Sequence, residues 1–200
     1  MAQLYFHYAS MNAGKSSSLL QSAYNYTERG MKVLILKPSI DTRDSATEVV
    51  SRIGIRAPAI TFGDSADVFE IVHNRSFGLP LSERWKPDAV FVDEAQFLTR
   101  DQVYQLASLV DSQEIPVLCY GLRTDFQGNL FEGSAALMAI ADKLVEMKGI
   151  CHCGKKATMV LRLDKNGYVV RDGAQIEIGA EDKYVSVCRK HFTFGAAKKI

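Results

Sequence analysis

The chain has almost no net charge and no long apolar run. Its 200 residues carry 24 lysines and arginines against 23 aspartates and glutamates, so there is no global positive field for binding nucleic acid or an anionic membrane, although a local basic patch is compatible with this balance. No stretch approaches the roughly 18 apolar residues that a membrane-spanning helix needs, and residues 1–8 lack the features of a signal peptide. We therefore expect a cytoplasmic protein whose partners include no nucleic acid and no membrane.

Cysteine is scarce and unevenly distributed. Of four cysteines, Cys119 lies alone in an apolar run, whereas Cys151, Cys153 and Cys188 lie in the last fifty residues. In a reducing cytoplasm these thiols are not read as disulfides by default. The composition is 47% hydrophobic and 24% charged, which excludes a largely disordered chain and suits one domain with a small appendage. The skew indicates that the two ends of the chain do different jobs.

Short apolar runs alternate with longer amphipathic ones over the first 150 residues. They predict strands at Leu4–Tyr8, Val33–Leu36, Ala89–Val92, Val117–Tyr120 and Lys143–Met147, and helices at Lys15–Arg29, Val68–Arg75, from a Thr99–Gln102 capping box to Val110, and at Ser134–Ala141. Strands that are apolar on both faces and alternate with helices are typical of a parallel α/β sheet covered by helices on both faces.

Two segments depart from this alternation. Residues 39–58 are polar, mixed in charge and without a consistent period, and such a long connection suggests a mobile or functional loop. From Ile150 the pattern changes to short β-type runs at Met159–Leu163, Gln175–Ile178 and Tyr184–Val187. We therefore expect a domain boundary at Gly149, with a nucleotide-binding domain at 1–149 and a second, smaller one at 150–200.

A phosphate-binding motif directly follows the first predicted strand. The P-loop pattern Gly-x-x-x-x-Gly-Lys-Ser/Thr is matched at Gly14, Lys15 and Ser16 but has Ala9 at its first glycine. Backbone N–H groups here can form an anion nest at the start of a helix, with Lys15 on the β- and γ-phosphates and Ser16 on Mg²⁺. The predicted nucleotide contacts are Ala9, Ser10, Met11, Asn12, Ala13, Gly14, Lys15 and Ser16. A chance Gly-Lys-Ser turn is the alternative, which the strand–loop–helix context disfavours.

An acidic pair follows the buried strand at residues 89–92. Asp93 is predicted to orient Mg²⁺, directly or through water, as the acidic residue at this position does in P-loop enzymes. Glu94 would face the crevice at the carboxyl ends of the strands, where ligands bind in open α/β sheets. We also assign Gln96 to the nucleotide site. Acidic residues that merely face solvent are the alternative, but two motifs in the expected order indicate binding of a nucleoside triphosphate.

The C-terminal cysteines have the spacing of a metal site. Cys151-His-Cys153 is followed, after 34 residues (188 − 153 − 1), by Cys188-Arg-Lys-His191. Structural zinc takes four tetrahedral sulfur and nitrogen ligands, which Cys151, Cys153, Cys188 and His191 supply. His152 is a weaker competing ligand, and buried reduced thiols are the bland alternative. A full set of four leaves no position for water, so we expect zinc to be structural, stapling a segment too small to hold a core alone.

Together these residues closely resemble the zinc-containing, cytosolic (type II) thymidine kinase family, in its bacterial form. The resemblance covers nearly the whole chain and is carried by residues 11–16, 93–98, 120–126 and 182–189 together with the zinc cysteines. It implies an α/β fold with a P-loop (RecA-like) parallel sheet, helices on both faces and a small C-terminal zinc-stapled β lasso domain.

The resemblance also implies an activity and its partners. The expected reaction is Mg²⁺-dependent transfer of the γ-phosphoryl group of ATP to the 5′-hydroxyl of thymidine or deoxyuridine, in pyrimidine salvage for DNA synthesis. Thymidine triphosphate is the expected feedback inhibitor, and a homotetramer the expected assembly. Zinc is the expected structural metal.

Site residues follow from matching positions in the same family. Glu94 matches the general base that accepts the proton of the 5′-hydroxyl. An apolar slot for the pyrimidine ring of the nucleoside is expected from Phe97, Leu122, Phe126 and Phe131. Ordinary core packing is the alternative for these residues. Residues 175–184 match a lasso loop over the nucleoside, where backbone groups around Ile176, Ile178 and Gly179 hold the pyrimidine and Tyr184 lies beside the sugar.

Some positions and some rival functions stay open. Ala9 departs from the P-loop pattern, Arg123 is divided between phosphate contact and structural pairing, and the 39–58 loop between nucleotide response and subunit contact. The main rival is a DExx-box-like ATPase acting on nucleic acid, because Asp-Glu-Ala-Gln at 93–96 resembles that box. Such motors usually need a second core domain, and the charge balance lacks their electrostatic footprint. A kinase of another small molecule and a non-enzymatic zinc module are further alternatives.

Overall fold

A computed structural model of the chain describes residues 1–40, 47–77, 85–176 and 183–198. The larger part contains, in chain order, β1 (Leu4–Ala9), α1 (Lys15–Thr27), β2 (Val33–Pro38), β3 (Glu48–Val50), β4 (Arg56–Pro58), β5 (Ile60–Phe62), α2 (Val68–Phe77), β6 (Ala89–Val92), α3 (Arg100–Gln113), β7 (Val117–Leu122), α4 (Glu132–Ile140) and β8 (Lys143–Glu146). The rest contains β9 (Gly149–Ile150), β10 (Lys156–Ala157), β11 (Met159–Leu163), β12 (Val169–Val170), β13 (Tyr184–Val187) and α5 (Arg189–Phe194). In the described ranges, every helix is too short or too polar to span a bilayer.

The centre of the fold is a six-stranded parallel sheet. Its strand order is β5-β2-β6-β7-β1-β8, and each neighbouring pair is parallel. Parallel neighbours need crossover connections, which the helices between the strands provide. The predicted parallel α/β sheet is therefore confirmed.

Helices cover both faces of this sheet because its inner strands are apolar on both sides. Along β6, Ala89 and Phe91 pack towards α1, whereas Val90 and Val92 pack towards α2, α3 and α4. This alternation follows from the two-residue period of a strand. All four residues are fully buried, and the two-sided cover confirms the expected helices on both faces.

The start of α3 is built as its sequence predicts. The Thr99 hydroxyl accepts a hydrogen bond from the Gln102 backbone, and the Gln102 side chain accepts one from the Thr99 backbone, both at 3.2 Å. This reciprocal capping box satisfies two helix-end donors. The buried Gln102 amide also donates to the Gly63 carbonyl at 2.9 Å, so the cap ties α3 to the connection after β5.

Part of the 39–58 segment is a β-hairpin rather than an irregular loop. β3 and β4 pair in antiparallel register, with Val49 opposite Ala57. Val49 is 1% exposed and packs with the α1 side of the core. Three-residue strands are too short to show a clear period, so the segment looks structureless in sequence. Residues 41–46 lie outside the described part of the chain.

The C-terminal part forms small antiparallel sheets with a core of their own. β9 pairs with β10, and β11 lies between β12 and β13. Leu161 and Val187 are buried there beside Cys151 and Cys188. The β-type run predicted at Gln175–Ile178 is wrong for its described half, because Gln175 and Ile176 lie outside any strand and the Gln175 side chain donates to Asp125 instead.

We predict that Gly133→Ala destabilises the protein by about 1–3 kcal/mol, because overpacking a close contact forces backbone to move. A Cβ at Gly133 in α4 would lie 2.5 Å from the Ala95 carbonyl oxygen and 2.8 Å from that of Leu98. Urea denaturation measures the change. Gly63→Ala is the matched control, since its Cβ would meet the Ser39 hydroxyl at an ordinary 3.8 Å. Equal midpoints for the two variants would contradict the prediction.

Candidate functional site

The phosphate loop joins β1 to α1. Asn12 and Gly14 both have left-handed backbone, with φ of 61° and 77°. Gly14 is the N-cap of α1 and places no side chain over the first amides of the helix, so these N–H groups are left for an anion. Ala9, at the position of the missing glycine, is the last residue of β1 and has no positive φ, so a Cβ is compatible with its backbone.

Lys15 and Asp93 meet at this loop. The Lys15 ammonium donates to the Ser10 carbonyl at 2.9 Å. Asp93 follows β6 and continues its alternation towards α1, where it forms a hydrogen bond with the Ser16 side chain. Burial, and then the charge of Glu94, raise the pKa of Asp93 to about 7, while Ser16 and Lys15 oppose the rise.

The residues present fit a magnesium ion. Asp93 is 4% exposed, and its Oδ1 is a buried oxygen without a hydrogen-bond partner. Buried polar atoms are nearly always paired, so an orphaned carboxylate oxygen calls for an explanation such as a bound cation. Mg²⁺ prefers oxygen ligands such as carboxylates and hydroxyls. Asp93 and Ser16 supply both kinds at one point.

Glu94 is held in a strained backbone conformation. Its φ of 50° is left-handed, which is uncommon for a residue with a side chain and costs about 1–3 kcal/mol where surrounding structure enforces it. The side-chain NH₂ of Gln96 donates to the Glu94 carboxylate, and the side-chain oxygen of Gln96 accepts a hydrogen bond from the Leu122 backbone N–H at 2.9 Å. Gln96 is 2% exposed, and both of these contacts are to protein groups. It therefore orients the carboxylate and ties it to β7.

This arrangement depends on a close approach between β7 and the turn that contains Gln96. A Cβ at Gly121 would lie 2.9 Å from both the backbone nitrogen and the side-chain oxygen of Gln96. Such contacts are too short for any residue but glycine. Gly121 therefore lets the Gln96 side chain reach the next backbone amide of β7.

A cavity of about 520 Å³ opens at the carboxyl end of the sheet. Its lining combines the phosphate loop, the hairpin β3–β4 and the strand ends: Met11–Ser17, Lys37, Val49–Ile53, Asp93, Glu94 and Leu122. The candidate base, the candidate magnesium ligands and the anion-binding amides thus face one space. The hairpin part of the 39–58 segment belongs to this site.

No sequence pattern above singles out Lys37. It is the next-to-last residue of β2 and is 2% exposed, and the register that pairs Leu36 with Val92 puts it beside Asp93 on the α1 face. A lysine at the end of an apolar strand is usually exposed to solvent, so the sequence alone does not indicate that Lys37 is buried. The available signal is that Lys37 continues the two-residue alternation of Val33 and Ile35, which pack towards α1.

The residues expected around the pyrimidine ring of the nucleoside lie on several elements. Phe97 and Phe131 form an edge-to-face pair with ring centroids 5.9 Å apart. Phe126, 2% exposed, lies on a loop closed by a bridge between Thr124 and Leu130, and Phe131 follows this loop as the N-cap of α4. Leu122 lines the cavity.

The lasso residues are described only in part. Ile176 is 36% exposed, and Tyr184 is half-buried in β13. Ile178 and Gly179 lie outside the described residues. The expected roles of all these residues in holding a nucleoside remain predictions.

The four expected metal ligands come together. All their ligand atoms lie within 4.8 Å of one another, with Sγ of Cys151 at 3.2 Å and Sγ of Cys188 at 3.6 Å from His191 Nδ1, and 3.9 Å between the sulfurs of Cys153 and Cys188. Tetrahedral ligands at zinc distances of about 2.0–2.3 Å lie about 3.5–3.8 Å apart. The cluster therefore fits a zinc ion.

The surroundings of Cys151 favour a metal-binding thiolate. Burial raises its pKa, but hydrogen bonds from the Cys153 backbone, from His191 and from the Cys188 backbone outweigh this and lower it to about 6. A thiolate is the form of cysteine that binds metals. His152 stacks on His191 at 4.3 Å, with Nδ1 3.8 Å from the Cys151 sulfur. Its ring is thus a neighbour of the four-residue set.

Hydrogen bonds join the C-terminal part to the phosphate loop. The Ser186 hydroxyl donates to the Met11 carbonyl at 2.7 Å, and the Ser10 hydroxyl donates to the Ala157 carbonyl at 3.2 Å. Arg123 donates to the Thr158 carbonyl at 2.9 Å. Of the two roles left open for Arg123, this contact is the structural one.

We predict about one zinc per chain, lost in His191→Ala and retained in His152→Ala, since one histidine completes the tetrahedral set and the other stacks beside it. Elemental analysis of purified, folded protein measures the zinc content. The two variants are matched, because each removes one imidazole of the same stacked pair. If zinc were retained in His191→Ala and lost in His152→Ala, the assignment of His191 as the ligand would be wrong. A folded wild type without zinc would contradict the zinc site itself.

Comparison with known proteins agrees with this geometry. The family model described as thymidine kinase matches residues 2–192. A thymidine kinase of Rhodopirellula baltica is 57% identical over 192 residues, covering 96% of this chain and 88% of the relative. Those of Shewanella oneidensis and Novosphingobium aromaticivorans are 56% and 55% identical, each covering 96% of this chain and 97% of the relative. The resemblance inferred from the motifs is confirmed, and the chain belongs to the thymidine kinase family.

Proposed function

We propose that this protein transfers the γ-phosphoryl group of ATP to the 5′-hydroxyl of thymidine, and of deoxyuridine, to give the monophosphate. The observation that carries the proposal is the shared cavity, in which Glu94 and Asp93 face the phosphate loop with Lys15 and Ser16. Phosphoryl transfer depends mainly on positioning and charge neutralisation, and this cavity has groups for both. The family and its curated relatives name thymidine as the substrate class.

Phosphate binding is assigned to backbone amides, to lysine side chains and to Mg²⁺. The amides at the start of α1 bind the phosphates, and Lys15 exchanges its contact with the Ser10 carbonyl for one with the β- and γ-phosphates. Ser16 and Asp93 are the residues that would hold Mg²⁺, which when bound neutralises phosphate charge. Lys37, buried beside Asp93 in the same cavity, adds a second positive charge at this end.

Glu94 is assigned as the general base. A base must lie within hydrogen-bond reach of the proton that it accepts, and Glu94 lines the cavity while its carboxylate accepts a hydrogen bond from the Gln96 side chain. The strained backbone of Glu94 supports a functional constraint, because such conformations cluster at active sites. Glu94 directly follows Asp93 and lines the same cavity as the phosphate loop.

The nucleoside side is assigned to the aromatic residues and the lasso. Phe97, Leu122, Phe126 and Phe131 supply apolar walls, while backbone groups around Ile176, Ile178 and Gly179 and the Tyr184 side chain are the proposed polar contacts. A structural zinc at Cys151, Cys153, Cys188 and His191 anchors both ends of that loop. The boundary at Gly149, the homotetramer, feedback inhibition by thymidine triphosphate and a cytoplasmic location stay predictions.

We predict that the protein forms monophosphate from thymidine with Mg-ATP, and less or none from purine nucleosides and cytidine, since the aromatic slot and the backbone contacts suit a thymine-like ring. Incubation with each common nucleoside followed by chromatography measures the products. Adding single- and double-stranded DNA to an ATP hydrolysis assay tests the main rival. Thymidine left unphosphorylated, with ATP hydrolysis stimulated by DNA, would replace this proposal with a nucleic-acid-dependent ATPase.

We predict that Glu94→Gln lowers kcat about 100-fold or more with little change in ATP affinity, because general-base catalysis contributes roughly 10²–10⁴-fold and the amide cannot accept the proton. Steady-state kinetics and ATP titration measure the two effects. Glu114→Gln is the matched control, since Glu114 also has a left-handed backbone, with φ of 53°. Near wild-type turnover in the Glu94 variant would exclude it as the base.

A further inference from the structure

Arg162 is an arginine buried in the centre of a small sheet. It lies on β11, between β12 and β13, and is 7% exposed. Burying a guanidinium is costly unless its donors are satisfied. Arg162 donates from Nη1 to the Ala174 carbonyl at 2.9 Å and from Nη2 to the Asp172 carbonyl at 2.5 Å. Its planar group thus fixes the backbone just before the proposed lasso.

The same guanidinium also covers an aromatic ring of the nucleoside side. Its central carbon lies 3.7 Å from the centroid of the Phe126 ring. A planar cation on a ring face is a favourable arrangement, and it is specific to arginine because an ammonium cannot stack as a plane. β11 also pairs Arg162 with Tyr184, and directly paired residues project on the same face of a sheet. Arg162 therefore stacks on one residue assigned to the nucleoside, Phe126, and is the strand partner of another, Tyr184.

Neighbouring contacts hold the same two segments together. Gly173 has a φ of 117°, a conformation that favours glycine, and a Cβ there would lie 2.5 Å from Nη2 of Arg162, so the chain passes close to the guanidinium. Asp125, beside Phe126, accepts from the Gln175 side chain at 2.8 Å and from the Gln127 and Asn129 amides at 2.9 and 2.8 Å. The loop at 125–129 and the chain at 172–175 are thus joined both through Asp125 and through Arg162.

We propose that Arg162 is a positioning residue for nucleoside binding, one that holds the Phe126 ring and the backbone at 172–175 in fixed relation to each other. The inference rests on the proposed function. Preorganised walls bind a ligand more tightly because less ordering remains to be done on binding. Arg162 acts through Phe126 and the backbone, so its loss affects thymidine binding and leaves the phosphate end of the site unchanged.

The test compares two arginines that stack on phenylalanines in the same part of the chain. Arg162→Met keeps the length of the side chain and removes the fork and the charge. Arg171→Met is the matched control, because the Arg171 side chain stacks on Phe192 at 4.5 Å and donates to the Phe192 carbonyl, whereas Arg162 stacks on Phe126. Arg162→Lys is the second variant: it keeps the charge without the planar fork, and serves if the methionine variant does not fold.

In the full zinc-loaded protein we expect Arg162→Met to raise KM for thymidine about tenfold or more, with KM for ATP within about twofold of wild type. Thymidine affinity by calorimetry should fall in parallel, and Arg162→Lys should show the same direction of change. Arg171→Met should keep both KM values near wild type while lowering thermal stability. Zinc content, measured for every variant, checks that the metal site is intact.

Two results would overturn the inference alone. One is an active wild type in which the Arg162 variants leave KM for thymidine unchanged. The other is an equal rise of both KM values in the Arg162 and Arg171 variants, which would mark a general loss of structure. A wild type that neither binds nor phosphorylates thymidine would overturn the proposed function and this inference with it.

Discussion

The site depends on the alternation of side chains along buried parallel strands. Side chains along β6 alternate between its two packed faces, and Asp93 comes two residues after Phe91, so it is placed on the α1 face beside the phosphate loop. The same alternation carries Lys37 of β2 to that face. Parallel strands end at one edge, so the loop after β1 and the turn after β6 open into one cavity. Packing of the core thereby determines which side chains line the cavity.

A second constraint is the connection between the metal-binding part and this edge. The C-terminal sheets have a small core, and below a certain size such a core needs a metal to supplement it. The Ser186 hydroxyl donates to the phosphate loop, while Arg162 and Asp125 form hydrogen bonds with the chain at 172–175. The phosphate loop is therefore held to the C-terminal part by contacts between segments that are distant in sequence.

Prediction from the sequence succeeds where a local pattern has one physical meaning. The apolar runs at 89–92 and 117–120 predict buried strands that the structure contains, and the Thr99–Gln102 pair predicts the cap of α3. It fails where elements are short or where a contact is distant. The strands β3 and β4 have three residues each, which is too short for a clear period. Gln175 lies outside any strand despite its local β pattern, and its side chain donates to Asp125. The stacking of Arg162 on Phe126 has no signature in either segment.

By itself, the sequence determined the family, the parallel α/β class, the phosphate loop and the four candidate metal ligands, because each depends on residue types at fixed local spacing. Tertiary structure decided which groups face one another. It brought Lys37 beside Asp93, directed Gln96 to Glu94 and the Leu122 amide, and paired Arg123 with the Thr158 carbonyl. These relations arise from strand register and from close approach at Gly121, which are properties of the packed chain and not of any one segment.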